Sequence, residues 1–386
     1  MFTGCSRPGN GLVISRAFGD GDHDGALALR LVSAPDLTAL VRGCFTGAGL
    51  PGADAAAVAE VLVDANLRGT ESHGIGRAPV YLRRLRAGLT RGTERLTVRQ
   101  RSGPLCRLDA GHALGPAIGV RAVGIASELA AEHGIGFVAV GRSTHFGAAG
   151  YYARWAAQRG LVAVVASNGP AHMAPHGAAE PFLGTNAFAI AAPLGREGTF
   201  SLDMASSVAA RGKVIRAHAA GEPIPAGLAI DAGGAPTTDA AAALAGAVLP
   251  LGGPKGSGLA FAVCLLAGVL AGADFDDELA PMSGGAKARP QNVGQLFLVL
   301  DPWRLASPEE ATARVEGLVE RVHGLRPAEG FDEVLVAGER GDRLAAERLS
   351  RGIPIEEAEL DALAGACEEG GMADLARRTR ALAAAA

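Results

Sequence analysis

Two short stretches of this 386-residue chain combine histidine, glycine and a cation in ways that can do chemistry. One is Arg142-Ser143-Thr144-His145-Phe146-Gly147-Ala148-Ala149-Gly150-Tyr151-Tyr152, between the apolar run Phe137–Val140 and a helical Ala153–Ala157. A histidine at a strand end, just before glycines that open a helix, stands beside unpaired backbone N–H groups able to hold an anion or a reacting oxygen, and its imidazole titrates near neutrality. His145 is therefore either an acid/base group or the cap of the helix that follows; its neighbours alone allow both. The other stretch is Arg68-Gly69-Thr70-Glu71-Ser72-His73-Gly74-Ile75-Gly76-Arg77. If a helix begins near Gly74, His73 and Arg77 lie close at its entry, one a proton carrier and the other a carboxylate fork, with Ser72 beside them.

Three further places carry polar groups at element ends. Phe200-Ser201-Leu202-Asp203-Met204-Ala205-Ser206-Ser207 reads as a strand running into a helix, where small hydroxyls and an acid either bind ribose and phosphate or cap the helix. Leu251-Gly252-Gly253-Pro254-Lys255-Gly256-Ser257-Gly258 departs from the Walker order, having Lys-Gly-Ser in place of Gly-Lys-Ser, yet puts Lys255 in a glycine loop suited to a phosphate or a hydroxyl. Ser167-Asn168-Gly169-Pro170 closes a buried strand.

Other motifs fail on inspection. Gly47-Ala48-Gly49-Leu50-Pro51-Gly52 matches the spacing of a dinucleotide fingerprint, but it follows a helix and holds a proline. His172 and His176 have zinc-like spacing, but Pro175 breaks the helix this requires, so no metal is expected. Asp20 to Gly25 imitates half of an EF-hand, whose twelfth position is here Leu31.

The elements that must place these groups can be read from pattern. Ser33-Ala34-Pro35-Asp36 starts a helix through Leu37, Leu40 and Val41, and Asp54 starts another through Val58, Val61 and Leu62. Helices are also expected at Tyr81–Leu85, Pro116–His133, Leu259–Leu270 and around Leu349, Leu363 and Leu375. Strands are expected near Arg95–Val98, Leu105–Leu108, Gly136–Val140, Leu161–Ala166, Ala187–Ala192, Val293–Leu300 and Val334–Val336. Helices at both ends around a strand-rich middle predict an α/β chain with three parts. These are an extension over 1–31 that reads as a loose tail, a helical domain from 32–104 plus 305–386, and a cofactor-binding mixed α/β domain over 105–304.

Composition narrows the class. Apolar residues are 48% and charged residues 20%, which suits a globular chain, and a net charge of −4 argues against nucleic-acid binding. Five scattered cysteines form no Cys-x-x-Cys pair and point neither to a disulfide framework nor to thiolate zinc. With no run near the ~20 apolar residues of a membrane span and no secretory pattern at the start, cytoplasm is the expected compartment.

Taken in order, Glu71–Arg77 with Tyr81, Ser143-Thr144-His145-Phe146-Gly147, Gly184-Thr185-Asn186, Leu202–Ala205, Gly212-Lys213, Gly253–Gly256 and Val293-Gly294-Gln295 resemble the motifs of the type-2 malate/L-lactate dehydrogenase family. The resemblance spans about residues 33 to 360. It implies a non-Rossmann oxidoreductase using NAD or NADP on a small 2-hydroxy or 2-oxo acid or a cyclic imino acid, working as a homodimer. By the same matching, His145 or His73 is the acid/base group and Arg77 grips the substrate carboxylate; in the mechanism these residues suggest, His73 and Ser72 orient the substrate or share the proton relay. Asp203, Met204, Ala205, Lys255, Asn168, Gly338 and Glu339 fall at cofactor contacts. Departures from the family pattern are an extra residue in the Asn168–Pro175 loop, Ala187 in place of proline and Cys264 in place of an acid. The alternative reading is a catalytically silent nucleotide-binding or scaffolding protein of the same architecture.

Overall fold

Ser33 caps the first helix through its hydroxyl, which accepts from the Asp36 N–H at 3.2 Å, and Pro35 occupies the first turn. The helix then buries Leu37, Leu40, Val41, Cys44 and Phe45, an i, i+3, i+4, i+7, i+8 stripe. The computed structural model describes residues 28–195, 198–282 and 288–384. The EF-hand-like Asp20–Gly25 and the rest of residues 1–27 lie outside the described residues.

In chain order the elements are β1 (Leu29–Val32), α1 (Ala34–Gly47), α2 (Gly52–Leu67), α3 (Ala78–Arg86), β2 (Thr97–Ser102), β3 (Leu105–Asp109), α4 (Gly115–His133), β4 (Ile135–Ser143), α5 (Ala149–Ala157) and β5 (Val162–Ser167). Next come β6 (Ala187–Leu194), β7 (Gly198–Ala205), α6 (Arg211–Ala220), β8 (Ala229–Ile230), β9 (Pro236–Thr237), α7 (Ala240–Ala245), β10 (Ala247–Val248) and α8 (Pro254–Val263). The chain closes with β11 (Val293–Leu300), α9 (Pro308–His323), α10 (Glu339–Arg351), β12 (Ile353–Glu356), α11 (Glu357–Glu369) and α12 (Ala373–Ala384).

A seven-stranded sheet, ordered β2-β3-β4-β11-β5-β6-β7, forms the middle. Only β3 and β4 run parallel; β11 enters antiparallel between β4 and β5, and the remaining pairs are antiparallel. A Rossmann sheet is mostly parallel, so the non-Rossmann expectation holds. Gly47 ends α1 and Gly52 begins α2, so the fingerprint look-alike is an inter-helix loop. Helices α4 and α5 cover one face of the sheet, burying Ile118, Ala122, Tyr152 and Ala156 against Val138, Val140 and Phe297.

A separate core joins the two ends of the chain. It packs Leu37, Phe45, Val58, Leu62 and Tyr81 against Ile353, Ile355, Leu360 and Leu363. Its margin corrects the expectation of a loose tail: residues 29–31 are paired, with Leu29 opposite Glu356 and Val32 opposite Ile353 in an antiparallel β1–β12 ladder.

Two other expectations change. Val334–Val336 is no strand. The Glu339 carboxylate takes the Val336 N–H at 2.8 Å, which removes it from any ladder, and a lone bond from Ser201 N–H to Ala337 O ties this strip to β7. The apolar helix after Lys255 begins earlier, at Pro254, and widens into a π turn over Cys264–Val269, where the Ala267 backbone packs onto Gly294 of β11.

Candidate active site

Helix α3 starts at Ala78, not near Gly74. Residues Glu71–His73 and Ile75–Arg77 form two short 3₁₀ turns, separated by Gly74 in an extended conformation. Three contacts set this path. Buried Asn66 accepts the Ile75 N–H at 2.8 Å and fills the space a Gly74 side chain would need. Arg348 on α10 holds the Glu71 carboxylate at 2.8 Å. Glu359 on α11 packs onto Gly76, where burial, Glu356 and Glu71 push its carboxyl up to about 7. The loop thus rests on helices from both ends of the chain.

The second stretch is fixed from the sheet. Gln295 on β11 donates to Ser143 Oγ at 2.8 Å and to the Thr144 carbonyl at 3.1 Å, and Thr144 Oγ1 accepts the Gly115 N–H at 2.8 Å. Gly147 has φ +81° and faces Val61, so the turn admits no side chain there. Tyr152 donates to the Phe146 carbonyl. These contacts project His145 from the end of β4.

There the two loops meet. The His73 and His145 rings stack with centroids 5.4 Å apart and planes 24° apart. Ser72 Oγ lies 2.9 Å from His73 Nδ1, and Tyr81 Oη lies 2.5 Å from His145 Nδ1, which also accepts the Gly147 N–H at 3.3 Å. Arg77 donates through Nε to the Ser72 carbonyl at 2.6 Å, and no carboxylate pairs with it among the described residues. Its terminal nitrogens therefore keep a fork for an incoming acid.

Electrostatics makes both imidazoles neutral at pH 7. Burial and then the Arg77 charge lower His73 to about 4. Burial, Arg77 and His73 lower His145 well below its ordinary value. Burial likewise holds the Tyr81 phenol above its usual range. Tyr81 is 1% exposed. Local sequence assigns it no role of its own, although its place on the α3 face one turn beyond Arg77 was the available signal.

Three of the seven residues matched to a cofactor, Asp203, Met204 and Ala205, lie along β7. One N-terminal donor of α5 is already taken, because Asp203 Oδ2 accepts the Gly150 N–H at 2.9 Å. Asp203 is exposed, and desolvation by the protein packed around its carboxyl pushes that group upward. Met204 and Ala205 follow on the same strand, half-buried. Beyond them, Ser206 O accepts the Leu251 N–H at 2.9 Å and so brings in the Lys255 loop. Lys255 is exposed in the first turn of α8, Gly252 and Gly253 have φ +59° and +63°, and buried Ser206 Oγ has no hydrogen-bond partner among the described residues.

At the other end of β7, Gly338 (φ +109°) lies against the Thr199 and Ser201 backbone, while Glu339 is held by Val336 N–H and by His323 at 2.8 Å. Asn168 stands apart. It is 4% exposed, its amide donates to Asp274 O and Asp276 Oδ1, and its carbonyl accepts the Gly294 N–H, so its side chain belongs to a buried knot. Among the described residues there is no group of three or more potential metal ligands.

Comparison with known proteins agrees with this architecture. A family model described as malate/L-lactate dehydrogenase matches residues 32–364. The (2R)-3-sulfolactate dehydrogenase (NADP(+)) of Chromohalobacter salexigens is 38% identical over 338 residues, covering 86% of this chain and 97% of that protein. The ureidoglycolate dehydrogenase (NAD(+)) of Escherichia coli O157:H7 is 33% identical over 324 residues, covering 84% and 92%. Among solved structures, sulfolactate dehydrogenase from Methanocaldococcus jannaschii superposes with a TM-score of 0.82 at 35% identity, covering 89% of this chain and 98% of that one.

Proposed function

The chain belongs to the malate/L-lactate dehydrogenase family, and from that premise we infer how its residues serve an NAD(P)-dependent oxidoreductase acting on a small 2-hydroxy or 2-oxo acid, or on a cyclic imino acid. The observation that carries the reading is the unpaired Arg77 fork beside two stacked, neutral imidazoles. When bound, the nicotinamide supplies or takes up the hydride. The residues along β7 suit such a group: a solvent-facing Asp203, an orphaned Ser206 hydroxyl, and Lys255 beside two glycines with positive φ.

Arg77 holds the substrate carboxylate by two parallel N–H bonds and so fixes the distance and face of the α-carbon. His145 moves the proton at the substrate oxygen or nitrogen through Nε2, a step worth ~10²–10⁴-fold. Tyr81 makes both directions accessible. A phenol oxygen donates as well as accepts, so it supports Nδ1 whether or not that nitrogen carries the proton. His73, oriented by Ser72, lines the substrate side of His145.

The division into a helical part (32–104 with 305–386) and a cofactor part (105–304) belongs to the same reading. So do a cytoplasmic location and a homodimer. The dimer is supported by apolar side chains exposed around α8 and its π turn: Phe261, Leu265, Leu266, Val269 and Leu270. No described helix is long and apolar enough to cross a membrane.

The test is loss of NADH or NADPH absorbance with a panel of 2-oxo acids and cyclic imines, run beside the His145→Ala protein. Turnover of at least one panel member, lost with His145 while cofactor binding persists, is the expected result. Near-normal turnover by His145→Ala would remove its acid/base role. Cofactor binding without oxidation across the panel would favour a silent nucleotide-binding protein.

A further inference from the structure

The core shared by the two chain ends contains a pair of thiols that the hydride chemistry does not use. Cys44 lies on the buried stripe of α1 and Cys367 in the last turn of α11, 323 residues apart in sequence. Their sulfurs are 3.2 Å apart, closer than ordinary sulfur packing, and neither residue has exposed surface. The described cysteines Cys106 and Cys264 have no such neighbour. The pair also lies near the surface end of its helices: the half-buried Met372 thioether touches Gly47 and Gly370, each three residues beyond one of the cysteines.

We propose that Cys44 and Cys367 form a modification site, a dithiol that a small peroxide oxidises to a disulfide fastening α1 to α11. The hydrogen bond between the two sulfurs lets one keep a proton while the other carries the charge. That thiolate attacks one oxygen of hydrogen peroxide, the S–O bond forms, the O–O bond breaks, and hydroxide leaves and is protonated to water. The other thiol then attacks the sulfenic sulfur, the S–S bond forms, and the S–O bond breaks with loss of a second water. The two thiols lose two electrons and two protons, and one peroxide becomes two waters. A peroxide is small enough to reach the buried pair when the last turn of α11 opens, which a bulky disulfide is not.

The consequence lies in the scaffold. α11 carries Glu359, which backs Gly76, and α1 packs in the same core as α2 and α3, which carry Asn66 and Tyr81. Closing a loop this long removes freedom from the unfolded chain, so oxidation should raise Tm by about 5 °C or more.

The experiment treats the intact protein with hydrogen peroxide, alkylates remaining thiols under denaturing conditions, and maps unreduced peptides by mass spectrometry. The expected result is a Cys44–Cys367 cross-linked peptide with Cys106 and Cys264 still alkylated. A Tm rise reversed by dithiothreitol and absent from Cys44→Ala and Cys367→Ala should accompany it. Oxidised Met372 with both thiols still alkylatable would overturn the proposal. So would over-oxidation of either cysteine without a cross-link, or pairing with a different cysteine. Because the peptide map uses the unmodified sequence, it decides between these outcomes even if a variant fails to fold.

Discussion

Replacing Tyr81 by phenylalanine removes one oxygen from a 1%-exposed ring and leaves its packing in place. That oxygen is the closer partner of His145 Nδ1, at 2.5 Å, and the other is the Gly147 N–H at 3.3 Å. Losing the nearer partner leaves a buried ring nitrogen poorly satisfied, a cost of about 1–3 kcal/mol, or roughly 5- to 150-fold in rate if it falls on the transition state. The fall should appear in kcat, with KM within about threefold, because the substitution leaves the proposed Arg77 carboxylate grip in place. Steady-state NADH or NADPH kinetics on Tyr81→Phe, His145→Ala and the double variant measure it. Since Tyr81 acts through His145, the double variant should be no slower than His145→Ala alone, within about twofold. If Tyr81→Phe costs as much in the His145→Ala background as in the unaltered protein, Tyr81 meets the substrate directly and the positioning argument is refuted. A Tm close to that of the unaltered protein would confirm that the ring's packing survives.

Two further outcomes follow from charge and from packing. Burial and Arg77 lower His73 to about 4 and His145 in the same direction, so the folded protein resists protonation that the unfolded chain accepts near 6.5. Their contribution to stability is therefore complete above about pH 6.5 and lost as pH falls from there toward 4, read as a falling urea midpoint that flattens in His73→Asn. For the same reason kcat/KM for alcohol oxidation, which needs neutral His145, should keep its plateau to below about pH 6.5; an acid limb above pH 7 would contradict this. In Gly294→Ala the new methyl group would overlap the Ala267 carbonyl oxygen of the π turn, and β11 must move along with the Asn168 contact it carries. A loss of about 1–3 kcal/mol in denaturant stability is expected, and an unchanged midpoint would show that the π turn yields freely.

Much of this protein was legible because local rules act on neighbouring residues. The Ser33 cap, the α1 stripe, the long helix ending at His133 before Gly134 and the alternating strands are consequences of hydrogen bonding and burial within a few residues. The failure of Gly47–Gly52 as a nucleotide loop was equally local, since the motif follows helix α1 where the fingerprint needs a strand. The residue types of the site were also visible, because a histidine beside a glycine turn and an arginine four residues from another histidine have few other uses together.

What tertiary structure alone decided is how those groups meet. No spacing rule stacks His73 on His145 across 72 residues, since that requires α2, β4 and the chain-end helices to converge. Asn168 looked like a loop residue free to bind a ligand, but Asp274, Asp276 and Gly294, more than 100 residues away, use its whole side chain. Val334–Val336 has strand composition, but Glu339, held from α9 by His323, captures the needed N–H. Asp203 answers one donor of α5, the Gly150 N–H, at the place where local sequence promised an open anion site. Sequence determines which groups can donate, accept or titrate. Their partners, and the low dielectric that keeps both imidazoles neutral, come only from long-range packing, which removes water and brings Arg77 to them.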